Sequence, residues 1–454
     1  MRSYENAKIF EFPKVHFEDK YLIDPPNEII NIGNEIIKII WPTIRCKKKE
    51  MDKCEKYLYF KLHNIALSFN ADLLLAYSRD KNRYIKKYCC HENRSFWELK
   101  VVTRISDALE SYYFIKQIKG NYKNLETKRL MTLVEVKPRL QEKLNSISVK
   151  SVKRSEKIEQ IELRTKNLTK SKNGKKITTS TSITYKDTDD PRIPIMKQEL
   201  TDIFNFYKQQ NINGFIDSHV LAENPQMHHW LLKYHSTGRI SIKEEPNGCY
   251  FTIRDTMVKR IFNDGSFLNG GRLYAFWQNI PKNIRKHLII NNSPVSELDY
   301  SGCQIRMLYH LVVKQDYKED DPYSIPGMSR NLAKKAAIIT LNAKTNRSAV
   351  GALMGSAKKD LGMPITYSEA KNCIDLFKIK HRPISKFFNS GIGLNLMRIE
   401  SEVIVRTILA LMRKGICVLT IHDACIFQNQ HETEVYNAMI EEYLKILKQK
   451  PVVQ

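Results

Sequence analysis

The sequence predicts a mixed α+β fold in three regions, on the evidence of where its apolar residues recur. Residues 1–150 are expected to be mainly helical, because segments 56–79 and 96–118 bear apolar residues at three- and four-residue spacing. Residues 151–195 are enriched in Lys, Thr, Ser and Asp and contain two β-type runs. In residues 196–454, helical stretches alternate with short β-rich runs.

The first two regions each leave two interpretations open. Region 1–150 interleaves Lys and Arg with Tyr and Phe, which suits a nucleic-acid backbone and stacked bases. A core with a solvated face is the commoner origin of that pattern. In region 151–195, the β-type runs flank Asn173-Gly174, a strong turn dipeptide. The pattern predicts a β-hairpin there, with a flexible basic linker as the alternative.

The charge balance favours a polyanionic partner. The chain has 454 residues, with 74 Lys and Arg against 49 Asp and Glu and a net charge of +25. Such an excess attracts nucleic acids, although a solvated surface in a Lys-rich proteome would have the same composition. No apolar run reaches the roughly 18 residues of a membrane span, and the N-terminus lacks a secretory-signal pattern. We therefore expect a cytoplasmic protein that does not enter a membrane.

The nine cysteines indicate reduced thiols. Their number is odd and their spacing forms no disulfide framework. The cluster Cys89-Cys90-His91 could join Cys46 and Cys54 in a metal site. The sequence contains no paired Cys-x-x-Cys, so free or buried thiols are the simpler interpretation.

Two aspartates follow β-type runs in the last region. Asp299 ends one such run and precedes a stretch of helical spacing, so it is expected to project into a crevice. Backbone groups there, including that of Tyr300, could also ligate a cation. Asp423 lies where two β-rich runs meet, which predicts a hairpin with a carboxylate at its tip.

A pair of strand-borne carboxylates suits two-metal phosphoryl transfer. One ion lowers the pKa of the attacking hydroxyl, and the other stabilises the leaving pyrophosphate. Oxygen ligands in octahedral geometry favour two Mg²⁺ ions, with Mn²⁺ as a substitute. Taken singly, each aspartate could equally cap a turn.

The two segments resemble the palm motifs of family A DNA polymerases. Residues 299–306 are similar without gaps to Asp-Tyr-Ser-Gln-Ile-Glu-Leu-Arg, with matches at residues 299–301 and at Arg306. Residues 421–423, Ile-His-Asp, resemble the third palm motif, Val-His-Asp-Glu. The resemblance implies a right-hand polymerase, with both aspartates on an antiparallel palm sheet. The superfamily also contains the single-subunit phage and mitochondrial RNA polymerases.

A third segment resembles the fingers helix, whose motif is Arg-x-x-x-Lys, an aromatic, then Tyr-Gly. Here the matching positions are Arg330, Lys334, Ile338 and Asn342, which lie four residues apart and share one helix face. The resemblance implies that this face binds the incoming triphosphate, within fingers at about 325–390. Lys335 is an adjacent candidate that the spacing disfavours.

Upstream residues resemble the family's primer-binding segments. Gly270-Gly271-Arg272 is similar to its Gly-Arg motif, and residues 278–281 to Gln-Asn-Ile-Pro. Residues 236–239, Ser-Thr-Gly-Arg, are a second but more distant candidate for the Gly-Arg motif. The implied nucleic-acid contacts are Arg272, Gln278, Asn279, Arg306 and His422.

Four positions depart from the family's pattern. Gln304 replaces the Glu of the DNA polymerases and the Gly of the RNA polymerases, and Asn342 replaces a Tyr, both at sugar-selecting positions. Ala424 replaces an acidic residue, and Ile338 an aromatic one. These changes predict a divergent enzyme, with a preference for deoxynucleotides over ribonucleotides.

The resemblance, over about residues 235–430, therefore implies a DNA-directed DNA polymerase that binds a DNA primer–template and nucleoside triphosphates. Residues 1–195 show no strand-borne Asp-x-Glu, so we predict no proofreading exonuclease, and a thumb-like or partner-recruiting role for residues 1–150. Three rivals remain: an RNA polymerase or primase, a decayed polymerase scaffold that binds nucleic acid, and a metal-dependent nuclease.

Overall fold

The computed structural model describes residues 15–17, 25–70, 74–79, 98–124, 129–145, 147, 160–170, 176–235 and 239–454. The chain forms two compact units, Met1–Glu159 with Asp217–Asp255, and Gln160–Ile216 with Thr256–Gln454. Both combine helices with mostly antiparallel strands, which confirms the predicted α+β class. The units do not follow the three predicted regions, because part of region 151–195 belongs to the second unit. Helices and strands are numbered separately in chain order below.

The first unit contains six described helices and two groups of strands. The helices are α1 (Asn27–Ile40), α2 (Met51–Asn70), α3 (Leu99–Ser111), α4 (Pro138–Asn145), α6 (Ser218–Glu223) and α7 (Pro225–His235). The strands are β1 (Val15–Phe17), β2 (Leu74–Tyr77), β3 (Ile115–Asn124), β4 (Arg129–Val136), β8 (Ile240–Glu245) and β9 (Gly248–Ile253). The first four strands form a sheet in the order β1-β2-β4-β3, and β8 and β9 form a hairpin.

The helix prediction for segments 56–79 and 96–118 is confirmed only in part. Helices α2 and α3 occupy most of each segment, but the last residues of each are strand β2 and the start of β3. Strand β2 lies between β1 and β4, and three of its four residues are buried, so its apolar run lacks the alternation that marks a half-exposed strand. Tyr113, in the left-handed region at φ 58°, follows the end of α3.

The second unit holds the predicted motif residues, except the alternative Gly-Arg segment 236–239. Its helices are α5 (Ile193–Lys208), α8 (Lys282–Arg285), α9 (Cys303–Val312), α10 (Arg330–Asn342), α11 (Asn346–Asp360), α12 (Tyr367–Lys380), α13 (Gly393–Met412) and α14 (Glu432–Leu447). Its strands are β5 (Ile161–Lys170), β6 (Lys176–Ile183), β7 (Ile212–Asp217), β10 (Val258–Asn263), β11 (Ser266–Ala275), β12 (Leu288–Ile290), β13 (Ser293–Asp299), β14 (Val418–Ile421) and β15 (Ala424–Gln428).

These strands form two sheets. In one, the order is β14-β15-β13-β12-β7 and every neighbouring pair is antiparallel. In the other, the order is β11-β10-β5-β6. Strands β5 and β6 are antiparallel from Leu163 opposite Ile183 to Lys170 opposite Lys176. The hairpin predicted for region 151–195 is therefore confirmed, although its turn dipeptide Asn173-Gly174 lies outside the described residues.

Helices α10, α11 and α12 form a helical group with its own apolar core. Side chains of all three contribute to that core, among them Ala336, Leu353 and Ile374, each fully buried. Ser329 caps α10, and the capping boxes of Thr345 with Ser348 and of Thr366 with Glu369 begin the next two. The opposite face of α10 packs into this core, and that packing fixes the position of its exposed face.

Seven cysteines are described, and all of them are free thiols. Cys46 and Cys54 interact with each other, while Cys89, Cys90 and His91 lie outside the described residues. The metal site considered for these five residues therefore stays a prediction. In the described part of the chain, no helix is both long and apolar enough to cross a membrane.

Candidate active site

The register of two strands brings the predicted aspartates together. Strands β13 and β15 are antiparallel, with Asp299 opposite Ala424. Asp423 immediately precedes Ala424, in the two-residue turn that joins β14 to β15. His422, the first turn residue, adopts the left-handed conformation with φ 59°, as tight hairpin turns require. Both carboxylates, called the aspartate pair below, thus lie at the same end of adjacent strands.

The pKa of each carboxyl group in the aspartate pair is raised. The pKa of Asp423 rises to about 6. Burial is the largest cause, followed by the charge of Glu400, and the charge of Asp299 also contributes. Burial likewise raises the pKa of Asp299, and the positive charges of Lys334 and Lys282 oppose that rise. Partly desolvated carboxylates that repel each other form a site where a cation is favoured.

The donor set suits a hard divalent cation whose remaining ligands come from substrate and water. No group of three or more His, Cys, Asp or Glu side chains in the described residues forms a ready-made metal cage. Mg²⁺ typically binds through one or two carboxylates plus phosphate oxygens and waters, so two aspartates match its usual protein ligands. Tyr300 could contribute only its backbone, because its side chain is buried and its hydroxyl donates to the carbonyl of Met439 at 2.8 Å.

A distant segment of the chain holds the strand end that bears Asp299. The amide of Asp299 donates to the carbonyl of Gln454 at 2.9 Å, and the amide of Gln454 donates to the carbonyl of Asp299 at 3.0 Å. The amide of Ser301 donates to the carbonyl of Val452 at 2.9 Å. Residues 452–454 thus extend the pairing of the sheet beyond Asp299, which the sequence analysis did not predict.

The face of α10 predicted from four-residue spacing is exposed. Arg330, Lys334, Ile338 and Asn342 are all solvent-exposed, and Ile338 is exposed by 45%, unusual for an isoleucine. The charge of Lys334 acts on Asp299, whereas Lys335 pairs with Asp360 at 2.7 Å. Of these two lysines, Lys334 is the one whose charge acts on the aspartate pair, and its role in binding a triphosphate stays a prediction.

Arg330 has two partners within the protein. Its Nε lies 2.7 Å from Oδ2 of Asp321, and its guanidinium lies 5.6 Å from the centre of the Tyr323 ring. The ion pair is largely exposed, so it contributes little to stability and could give way to a phosphate. Sequence analysis did not single out Tyr323, which is buried. Burial is the largest cause of the raised pKa of Tyr323, and the nearby charge of Asp423 also contributes.

Arg272 and Gln304 meet at a carboxylate that the sequence analysis missed. Glu400 on α13 accepts from Arg272 Nε at 2.6 Å and Nη2 at 2.8 Å, and from Gln304 Nε2 at 3.1 Å. Glu400 occupies the buried stripe of α13 together with Leu396 and Val403. A charged residue on an apolar stripe was the available sequence signal.

A β-bulge directs Arg272 toward this cluster. Ile261 pairs with Arg272 and Phe262 with Gly270, so Gly271 is the extra residue. Gly271 has φ 76°, and a Cβ there would lie 2.7 Å from the Phe262 ring, so no other residue fits without displacement. Bulges of this kind re-aim neighbouring side chains.

Three other predicted nucleic-acid contacts lie near the Asp423 turn. Gln278 donates to the carbonyls of Leu273 and Thr420, so its amide positions the strand that leads into His422. Asn279 is exposed and donates to the carbonyl of Phe276 at 3.1 Å. His422 is an exposed residue, although burial of its ring is the largest cause of its lowered pKa. The ring lies 6.5 Å from that of Tyr274, and its exposed part could contact a nucleic-acid strand.

The nucleic-acid role predicted for Arg306 is wrong. The side chain is only 3% exposed. Its guanidinium pairs with Asp316 at 2.8 Å and donates to the carbonyls of Tyr317, Glu319 and Asp320. Arg306 therefore fixes the loop after α9. Of the alternative Gly-Arg segment, only Arg239 is described; it lies in the first unit and pairs with Asp255 at 3.8 Å.

A single glycine allows α9 to begin directly after the first aspartate. Gly302, the residue before α9, has φ 60°, and a Cβ there would lie 2.5 Å from Cγ of Pro322. This close approach explains why Gly follows Asp-Tyr-Ser in this chain. It also sets Gln304 in the first turn of α9, near the aspartate pair.

Neither a protein-family model nor a curated protein sequence matches this chain. The chemistry available to the site therefore follows from its own groups. Two partly buried carboxylates can hold divalent cations, and the exposed cations of α10 can bind an anionic ligand beside them. These are the requirements of phosphoryl or nucleotidyl transfer.

Proposed function

We propose that the protein is a template-directed nucleotidyltransferase of the right-hand polymerase type, a DNA-directed DNA polymerase. The observation that supports this most is the register of β13 and β15, in which Asp299 lies opposite the residue after Asp423. These residues belong to two motifs more than a hundred positions apart in sequence. Their convergence at one end of an antiparallel sheet is what a polymerase palm requires.

In this proposal the aspartate pair holds the divalent ions, which are two Mg²⁺. When bound, they activate the primer 3′-hydroxyl and stabilise the pyrophosphate leaving group. The protein's part is to keep both carboxylates close together at two strand ends, stiffened by pairing with β14 and with residues 452–454.

The incoming triphosphate binds the exposed face of α10. Lys334, whose charge acts on Asp299, neutralises phosphate charge next to the metal ions. Arg330 exchanges its exposed pair with Asp321 for a phosphate, because guanidinium binds phosphate with two parallel hydrogen bonds. Ile338 and Asn342, farther along the same face, lie toward the base and sugar. The nucleotide then covers the exposed part of Ile338.

The substrate preference rests on Gln304. A glutamine fills nearly the volume of the glutamate found in the resembling DNA polymerases, so we propose a preference for deoxynucleotides. The first unit would grip the primer–template or recruit a replication partner, in keeping with the overall charge of +25.

Extension of a labelled primer on a DNA template with Mg²⁺ tests the proposal. The assay compares deoxynucleotides with ribonucleotides, with and without primer. Asp299→Asn and Asp423→Asn should abolish extension, because the two-metal site loses a ligand, while DNA binding stays nearly unchanged. Asp202→Asn is the matched control, because Asp202 is exposed on α5 and bonds Gln198.

Each alternative has a distinct outcome. Primer-free synthesis from ribonucleotides would identify an RNA polymerase or primase. Metal-dependent loss of the primer, abolished in both aspartate variants, would identify a nuclease. Tight, salt-sensitive DNA binding without extension under any condition would indicate a polymerase scaffold that has lost its activity. Extension retained in either Asp→Asn variant would rule out the proposed site.

A further inference from the structure

Glu400 is the most deeply buried carboxylate of the candidate site. It is 1% exposed and accepts three hydrogen bonds, two from Arg272 and one from Gln304. The shortest, from Arg272 Nε, is 2.6 Å long. A buried carboxylate is tolerated only when it is paired and hydrogen-bonded, so these contacts are tightly held.

The bond to Glu400 determines how Gln304 presents its amide. Nε2 of Gln304 donates to Glu400 Oε2 at 3.1 Å, so the amide cannot rotate without leaving a buried carboxylate oxygen with one donor fewer. Glu400 is itself clamped by two bonds from Arg272. Gln304 therefore has one preferred side-chain orientation, and its Oε1 is the amide atom not engaged by Glu400.

We propose that Glu400 is a positioning residue that sets sugar selection by fixing the side chain of Gln304. The inference rests on the proposed polymerase function and adds a determinant outside the four sequence motifs. A fixed Gln304 discriminates between triphosphates by a constant shape and a constant acceptor position. A Gln304 released from Glu400 can move aside or turn its amide, and either motion weakens discrimination.

The same helix supplies a matched control. Glu402, two residues farther along α13, lies 3.1 Å from Nη2 of Arg260 and 2.7 Å from Nη1 of Arg398. Arg260 is 1% exposed, so this too is an ion pair with a buried partner. Among the described contacts of Glu402, there is no hydrogen bond to Gln304. Removing Glu402 therefore reproduces the loss of a helix-borne ion pair without releasing the sugar-selecting side chain.

The test measures kcat/KM for deoxynucleotides and ribonucleotides in primer extension. The proteins are the unmutated chain and four variants. These are Glu400→Ala, Gln304→Ala, the double variant that combines these two changes, and Glu402→Ala. Glu400→Ala should reduce the discrimination ratio about tenfold, the scale of a lost specificity contact. In the double variant the ratio should equal that of Gln304→Ala alone, because in this proposal Glu400 affects sugar selection only through Gln304. Glu402→Ala should leave the ratio within about twofold of the unmutated chain.

Thermal unfolding of every variant separates lost stability from lost selection. If Glu400→Ala does not fold, Glu400→Gln takes its place, since it keeps the size and one acceptor oxygen and should have an intermediate ratio. An unchanged ratio in a folded Glu400 variant, or additive effects in the double variant, would overturn the inference alone. Absence of extension by the unmutated chain would overturn the proposed function and this inference with it.

Discussion

Replacing Asp423 by Asn should stabilise the metal-free protein while abolishing its activity. Burial and the charges of Glu400 and Asp299 raise the pKa of Asp423 to about 6, from 3.8 in an unstructured chain. Each pH unit of that difference is worth about 1.4 kcal/mol, so holding Asp423 ionised costs about 3 kcal/mol of unfolding free energy above pH 6. The amide of Asn has nearly the same shape and no charge, so the cost disappears.

The pH dependence identifies the cause of the gain. A carboxyl group whose pKa is raised by folding contributes its full stability below the unfolded value of 3.8 and loses it as the pH rises through about 6. The advantage of Asp423→Asn should therefore be absent at low pH, grow between these two values and be constant above them. Titrating groups that do not interact with Asp423 are common to both proteins and cancel in the difference.

Chemical denaturation in a chelating buffer, repeated at several pH values, measures this difference. Asp202→Asn, on an exposed face of α5, should have the unfolding free energy of the unmutated chain throughout. Added Mg²⁺ should stabilise the unmutated chain more than Asp423→Asn, because the ion offsets the repulsion between the carboxylates. Equal stability of the two proteins at neutral and at acidic pH would refute the reasoning, since an ionised Asp423 would then carry no penalty.

Two further predictions concern the surroundings of the aspartate pair. Lys334→Ala should raise the KM for nucleoside triphosphates about tenfold or more, because the charge of Lys334 acts on Asp299, whereas Lys335→Ala should change it little, because Lys335 pairs with Asp360. Steady-state kinetics of both variants would test this, and equal effects would contradict it. Gln454→Pro should lower kcat by removing the amide that bonds Asp299, whereas Gln454→Ala keeps that amide and should be neutral. Similar rates in these two variants would show that the backbone pairing is dispensable.

The parts of the structure that sequence reasoning predicted are those specified by local pattern. The exposed face of α10 follows from a four-residue spacing, and the hairpin at Asp423 from two apolar runs around a polar pair. The β5–β6 hairpin follows from an Asn-Gly dipeptide between β-type runs. In each case the residues that determine the element are its own neighbours in the chain.

Sequence reasoning failed where a residue's partners are distant in the chain. Arg306 has the spacing of a motif arginine, yet its surroundings are the carbonyls of the loop after α9. Strand β2 was predicted as helix because both of its faces are covered, which removes the alternation of a strand. Burial and hydrogen-bond partners are properties of the assembled fold, and no local period encodes them.

The sequence by itself determined which residues the proposed chemistry would use: the two aspartates at strand ends, and the cations on one face of α10. Only the tertiary structure decided how they are held. Glu400 bonds both Gln304, 96 positions earlier in the chain, and Arg272, 128 positions earlier, and residues 452–454 pair with the strand end at Asp299. The physical reason is that a side chain's charge and size are local properties, whereas the partner that neutralises or orients it is chosen by chain packing.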